Sequence, residues 1–175
     1  MIEGVAKNIG LIGFMGTGKT VVGQALADRL GRQFFDTDTL VETMAGKTIS
    51  QIFQDEGEAS FRQLESMVVA AVCNKEYAVI SFGGGVVLSK SNVRAIKESS
   101  IVVLLRASVE TILGRTSSTN TRPLLHSSNN GSPVRILSLI ETRRSMYESM
   151  MDLSINTDAL QVDEVANEII RRLEI

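Results

Sequence analysis

The residues of this chain best suited to chemistry lie in the run 13–20, Gly-Phe-Met-Gly-Thr-Gly-Lys-Thr. Its pattern, Gly, four residues, Gly-Lys-Thr, is typical of phosphate-binding loops. The glycines let successive backbone N–H groups point at phosphate oxygens, and the N-terminus of a following helix adds partial positive charge. Lys19 can then reach the outer phosphates, and the Thr20 hydroxyl can bind Mg²⁺. The run therefore predicts a site for a nucleotide and its metal ion.

Two carboxylates, Asp36 and Asp38, follow the predicted strand 33–35 where the chain turns into a helix. One can hold Mg²⁺ through water, and the other can accept a hydrogen bond from a substrate hydroxyl and help to remove its proton. The alternative is structural, because Asp38 or Thr37 would serve well as the N-cap of that helix. The nearby phosphate loop favours the metal or substrate contact.

Three consecutive glycines, Gly83, Gly84 and Gly85, follow the predicted strand 77–81. Glycine permits backbone conformations closed to other residues, so this run predicts close approach of a small substrate to the main chain, the alternative being a tight turn. Ser81, at the end of the strand, is a candidate to support the metal.

Arg62 and Arg143 lie on predicted helices, and Glu65 is three residues after Arg62, where it would lie beside it and orient it. Without further context, each arginine would be expected to lie on the solvated surface. The polar segment 117–133 carries Arg122 and both prolines of the chain. A loop of this length is either a flexible insertion or a lid that closes over a site.

The elements that must position these residues alternate between strand and helix along the chain. We predict strands at 9–12, 33–35, 77–81, 101–105 and 153–156, and helices at 19–30, 39–45, 48–57, 58–74, 91–99, 108–115, 134–151 and 162–173. Continuous apolar strands separated by helices favour an α/β fold, a three-layer α/β/α arrangement with a five-stranded parallel sheet. Ligands of such sheets bind at the carboxyl ends of the strands, where all the candidate motifs would meet.

The composition sets the broad class. The chain has 175 residues, 43% of them hydrophobic and 22% charged, with a formal charge of −2 and one cysteine, Cys73. These values predict one domain over 1–175, with no nucleic-acid or membrane partner and no leader peptide, and a cytoplasmic location. Nothing demands more than a monomer. Met67, Met146 and Met150 fit apolar helix positions and are predicted to pack in the core.

Taken together, these residues resemble the shikimate kinase family, and the resemblance runs from Ile9 to about Leu173. The motifs that carry it are GFMGTGKT at 13–20, Phe35-Asp36-Thr37-Asp38, Gly57-Glu58 with Phe61-Arg62, the glycine run 83–85, Arg122-Pro123-Leu124-Leu125, and Arg143 with Tyr147. The loop alone is shared by many kinases and ATPases. The set of motifs in this order is much more specific.

The resemblance implies a P-loop fold like that of nucleoside monophosphate kinases, with a substrate-binding segment at about 36–65 and a mobile lid at about 116–133. It implies transfer of the γ-phosphate of ATP to the 3-hydroxyl of shikimate, with Mg²⁺ as the metal. By implication Lys19, Asp38 and Arg122 are catalytic; Gly16, Thr17, Gly18, Lys19, Thr20, Val21, Arg115 and Arg122 bind nucleotide; Asp38, Arg62, Gly83, Gly84, Gly85 and Arg143 bind shikimate; and Thr20 and Asp36 bind the metal.

Two other functions remain open at this point. Another small-molecule kinase of this architecture, acting on gluconate or a nucleoside monophosphate, would share the loop, although the two arginines favour a substrate with a carboxylate. A nucleotide-binding regulator without activity would not need Lys19, Asp38 and Arg122 together. Two positions depart from the family pattern: Ser145 stands where relatives often have proline, and the segment 156–158 has no obvious cation for the second face of adenine.

Overall fold

The centre of the molecule is a parallel sheet. The structure is a computed structural model that describes residues 7–116 and 133–175. Its strands are β1 (Asn8–Ile12), β2 (Gln33–Asp36), β3 (Ala78–Ser81), β4 (Ser100–Arg106) and β5 (Leu153–Asn156). They lie in the order β2-β3-β1-β4-β5, and every neighbouring pair is parallel. The predicted five-stranded parallel sheet is confirmed.

Helices cover both faces of this sheet. They are α1 (Lys19–Leu30), α2 (Thr37–Ala45), α3 (Ile49–Asp55), α4 (Gly57–Cys73), α5 (Lys90–Ser99), α6 (Val109–Thr116), α7 (Pro133–Glu148) and α8 (Val162–Leu173), with a short 3₁₀ turn at Val86–Leu88 that the sequence did not predict. The other boundaries agree with the predicted elements within a few residues. The predicted lid falls on residues outside the described ranges.

Adjacent residues of each central strand contribute to different cores. In β1, Leu11 packs with α1 and α8, whereas Ile12 packs with the opposite core, which includes residues of α4 and α5. In β3, Val79 and Ile80 divide in the same way. Because side chains alternate across a strand and both faces are covered, consecutive positions in the middle of these strands are apolar. This explains the continuous apolar runs in the sequence.

The start of α2 differs from the prediction. The helix begins at Thr37, and its N-cap is Asp36, whose Oδ1 accepts hydrogen bonds from the backbone N–H of Asp38 at 3.0 Å and of Thr39 at 3.2 Å. The alternative that Thr37 or Asp38 caps the helix is therefore wrong. Asp38 lies instead in the first turn of α2, and it lines the cleft described below.

Two other local features can be compared with the sequence: the start of α3 and the burial of three methionines. The helix predicted to begin at Thr48 starts with a capping box, with the Thr48 side chain accepting from the N–H of Gln51 and the Gln51 side chain accepting from the N–H of Thr48. Met150 is buried, as predicted, but Met67 is 60% exposed and Met146 is 37% exposed. The prediction that these two pack in the core is wrong, because on each helix a neighbouring residue faces the core. No helix in the described ranges has the length and apolarity that crossing a membrane requires.

The packing of α1 against the sheet can be tested by a substitution at Gly23. A Cβ added there would lie 2.5 Å from Cε2 of Phe34 and 3.2 Å from Cδ1 of Leu11, so alanine would overpack the contact between α1 and the sheet. We expect Gly23→Ala to lower the free energy of unfolding by about 1 kcal/mol in urea denaturation, despite the better helix propensity of alanine.

Gly114 in α6 provides the matched control. Among the described residues, no atom other than those of its chain neighbours and the nearby backbone of its own helix lies within 4 Å of a Cβ at this position. Gly114→Ala should therefore raise the free energy of unfolding by about 0.5–1 kcal/mol. Stabilisation of similar size by both substitutions would show that α1 is not tightly packed at Gly23.

Candidate active site

The phosphate loop connects β1 to α1 at the carboxyl edge of the sheet. Gly16 and Gly18 have φ values of 79° and 96°, a region that residues with a Cβ rarely adopt. The loop wraps around the Lys19 side chain, whose Nζ donates to the carbonyls of Gly13 at 2.9 Å and Phe14 at 3.0 Å. The Thr17 hydroxyl also donates to Phe14 O, at 2.8 Å. The backbone geometry expected of a phosphate-binding loop is therefore formed in the structure.

Thr20 and Asp36 form a pair of hard oxygen donors beside this loop. The Thr20 hydroxyl donates to Oδ2 of Asp36 at 2.7 Å, while Oδ1 of the same carboxylate caps α2. Two oxygens at this spacing fit Mg²⁺, which binds few protein ligands and completes its shell with water and substrate phosphates. Within the described ranges, no group of three or more His, Cys, Asp and Glu side chains forms a fuller metal cage.

Asp38 lies against the glycine run after β3. A Cβ on Gly83 would be 2.5 Å from Oδ1 of Asp38 and 3.3 Å from Oε1 of Glu65. The N–H of Gly83 donates to the Thr37 hydroxyl at 2.9 Å, which ties the glycine run to the first turn of α2. Absence of a side chain at Gly83 is therefore what allows the two carboxylates to approach the main chain.

Arg62 occupies the corresponding space at Gly85. A Cβ on Gly85 would overlap the Arg62 guanidinium. The φ values of Gly83, Gly84 and Gly85 are not in the left-handed region, and Gly85 has φ −97°. Glycine is therefore not needed here for a left-handed conformation, and its lack of a side chain provides room for neighbouring side chains. The close approach of a substrate to this run stays a prediction.

Two carboxylates of its own helix hold the Arg62 guanidinium. Nη1 donates to Oε2 of Glu65 at 2.8 Å, as the spacing predicted, and Nε and Nη2 donate to Oε1 of Glu58 at 3.2 and 3.1 Å. The Arg62 side chain is only 23% exposed, and Glu65 is 2% exposed. The prediction from the residue type alone, that Arg62 lies on the solvated surface, is therefore wrong.

Burial and neighbouring charges shift the pKa values of both Glu65 and Arg62. Burial and the nearby Asp38 raise the pKa of Glu65 above its usual value, although the Arg62 charge acts against the shift. Burial alone would lower the pKa of Arg62, but Glu65 and Glu58 together raise it. Arg62 therefore stays charged at neutral pH.

Arg143 and Tyr147 approach the glycine run from α7. Arg143 is 8% exposed, so the surface position is wrong for it too, and its Nη1 donates to Gly84 O at 3.3 Å. The Tyr147 hydroxyl donates to the same oxygen at 2.6 Å. Burial raises the pKa of Tyr147 to about 12, which keeps the hydroxyl protonated as a donor. Sequence reasoning gave Tyr147 no role, and its spacing of four residues from Arg143 on one helix was the available signal.

Arg115 lies at the other end of the loop. Its Nη1 donates to Gly16 O at 3.3 Å and to the Thr157 hydroxyl at 3.1 Å, and Nη2 donates to Thr157 O at 2.9 Å. Thr157, buried after β5, also lies 3.2 Å from Thr17 O through its hydroxyl. Sequence reasoning missed this contact, because it looked only for a cation in the segment 156–158. Arg122, the remaining predicted cation, is outside the described residues.

Most of these side chains line one continuous cleft of about 760 Å³. Of the predicted site residues, it includes Gly16, Gly18, Lys19, Thr20, Val21, Asp36, Asp38, Arg62, Gly84, Gly85, Arg115 and Arg143, together with Ser81. Thr17 and Gly83 are not among its lining residues. The cleft also includes Phe61 of the predicted Phe61-Arg62 motif, and residues that the sequence did not single out for the site: Glu42 of α2, Thr48 at the N-cap of α3, and Ile49, Ser50 and Phe53 of α3.

Comparison with known proteins gives a consistent result. The family model described as shikimate kinase matches residues 15–174. A shikimate kinase of Pelotomaculum thermopropionicum is 40% identical over 168 residues, which are 96% of each chain, and one of Moorella thermoacetica is 44% identical over 162 residues, 93% of this chain and 91% of the relative.

The solved structures agree. Shikimate kinase from Acinetobacter baumannii in complex with shikimate superposes with a TM-score of 0.92 at 35% identity, covering 96% of this chain and 93% of that one. Family model, sequence relatives and superposition each span nearly the whole length. The chain belongs to the shikimate kinase family.

Proposed function

We propose that this chain transfers the γ-phosphate of ATP to the 3-hydroxyl of shikimate, giving shikimate 3-phosphate and ADP. The observation that carries the proposal is the position of two guanidinium groups, the partly buried one of Arg62 and the buried one of Arg143, in the same cleft as Lys19 and Thr20 of the phosphate loop. Such a cleft suits a nucleotide and a small organic acid bound side by side. The superposition on an enzyme solved with shikimate supports the choice of acid.

The acceptor would bind at the arginine end. The Nη1–Nη2 edge of a guanidinium matches the two oxygens of a carboxylate, so Arg62 and Arg143 would hold the shikimate carboxylate. Asp38, beside Gly83, would accept a hydrogen bond from the reacting hydroxyl and take its proton as the new bond forms. Gly83, Gly84 and Gly85 would contact the ring.

ATP would bind at the loop end. Backbone N–H groups of the segment 16–21 and the Lys19 ammonium would bind the phosphates, and Arg115 would lie near adenine. Thr20 and Asp36 would hold Mg²⁺, which supplies charge neutralisation on the β- and γ-phosphates when bound. The structure supports this assignment by the pairing of the two oxygen donors at 2.7 Å.

Catalysis would then depend mainly on position and charge. Phosphoryl transfer passes through a loose transition state with charge on the equatorial oxygens, so the contribution of the protein is alignment and stabilisation of that charge. Lys19 would supply part of it, and Arg122 would supply more from the proposed lid at about 116–133. Closure of that lid would exclude water as a competing acceptor.

Four further features belong to the proposal. We propose one functional domain over 1–175 with a substrate-binding segment at about 36–65, a monomeric state, no nucleic-acid partner, and a cytoplasmic location. The formal charge of −2 supports the lack of nucleic-acid binding, and the single cysteine supports a reducing compartment.

A coupled assay of ADP release tests the function directly. With Mg²⁺ and ATP, we expect rapid turnover with shikimate and negligible turnover with gluconate or AMP. Faster turnover with gluconate or AMP would favour another kinase of this fold. A lack of turnover with all three would favour a nucleotide-binding regulator.

Substitution of Asp38 tests its role as proton acceptor. We expect Asp38→Asn to lower kcat with shikimate by a factor of about 10²–10⁴, because the amide is not basic, while the affinity for ATP measured by calorimetry changes little. Lys19→Ala is the contrasting variant and should weaken ATP binding itself. An equal loss of ATP affinity in both variants would place Asp38 in the nucleotide site instead.

Gly85→Ala tests the position of Arg62 without removing its charge. The backbone at Gly85, φ −97° and ψ −6°, accommodates alanine, so the effect should come only from the new Cβ, which overlaps the guanidinium. We expect the KM for shikimate to rise at least about tenfold through loss of a charge-assisted hydrogen bond. The KM for ATP, measured in the same assay, should stay within about twofold of wild type, and an unchanged KM for shikimate would contradict the assigned role of Arg62.

A further inference from the structure

The Tyr147 hydroxyl is a buried polar group that the proposed roles leave unused, and its partner Gly84 lines the cleft. Tyr147 is 5% exposed, and its hydroxyl donates a short hydrogen bond of 2.6 Å to Gly84 O. Arg143, one turn earlier on α7, donates to the same oxygen over the longer distance of 3.3 Å. The hydroxyl is therefore the closer of two anchors on this carbonyl.

The carbonyl belongs to a peptide unit that faces the cleft. Gly84 and Gly85 both line the cleft, and their neighbours in it include Arg62. Because a trans peptide is planar, the N–H of Gly85 points away from the Gly84 carbonyl and therefore away from Tyr147. The direction of the carbonyl thus determines where the N–H donor of Gly85 points.

Glycine makes this direction easy to lose. Three consecutive residues without side chains have unusually wide conformational freedom, and the peptide between two of them can rotate at low cost. Arg143 cannot replace the tyrosine fully, because its bond is longer and the proposed carboxylate ligand would draw on the same guanidinium. A rigid phenol on a packed helix has no such competing role.

We propose that Tyr147 is a positioning residue for the acceptor site: its hydrogen bond to Gly84 fixes the Gly84–Gly85 peptide so that the N–H of Gly85 points into the cleft and donates to the bound acid. This inference rests on the proposed function, since the acid is taken to be shikimate. Tyr147 itself touches no reacting atom. Its contribution is the direction of a main-chain donor.

Tyr147→Phe tests the inference, because it removes one oxygen atom and preserves the ring. We expect the KM for shikimate, and its dissociation constant by calorimetry, to rise about tenfold, with kcat within about threefold and the KM for ATP within about twofold of wild type. Tyr77→Phe is the matched control, since the chain has two tyrosines and Tyr77 is 51% exposed. The control should have wild-type constants for both substrates.

The outcomes separate the inference from the proposed function. If the wild-type protein phosphorylates shikimate and Tyr147→Phe leaves both the KM and the dissociation constant for shikimate unchanged, the inference is overturned and the proposed function stands. A parallel rise in the constants for shikimate and ATP, with a lowered Tm, would show a general structural role and would also overturn it. A wild-type protein that neither binds nor phosphorylates shikimate would overturn both.

Discussion

The hydrogen bonding of β3 between β2 and β1 is the constraint on which the cleft depends. Parallel pairing brings the carboxyl ends of these three strands to one edge. The phosphate loop follows β1, Asp36 ends β2, and the glycine run follows β3, so the sheet order places the glycine run between the other two. A donor site and an acceptor site thereby become neighbours although about 70 residues separate them along the chain, from Gly13 to Gly83.

The sequence allowed much of this arrangement to be predicted. The central strands were recognisable because both faces of the sheet are covered, so that β1, β3 and β4 consist mainly of apolar residues. The phosphate loop was recognisable because its chemistry restricts residue types at fixed spacing. The contact between Arg62 and Glu65 followed from helical geometry alone, which brings residues three apart onto the same side.

What could not be predicted depends on contacts between distant segments. Asp36, Thr37 and Asp38 all have side chains that can cap a helix, and the sequence alone does not show which of them does so. In the structure Asp36 caps α2 and also accepts a hydrogen bond from Thr20, a residue of another helix. The reason for the glycine run was also hidden, because the side chains that need the space come from α2 and α4. Tyr147 matched a family motif, but its partner is a carbonyl 63 residues away.

The hydrogen bonds from Arg62 to Glu58 and Glu65 have a consequence for the affinity of the proposed acid site. A free arginine side chain samples many rotamers, and ordering it costs up to about 2 kcal/mol. Here that entropy is lost when the protein folds, because all three guanidinium nitrogens already donate hydrogen bonds to Glu58 and Glu65 of the same helix. If Arg62 binds the acid as proposed, its side chain is already ordered, and more of the attraction between the two charges would remain as net binding energy.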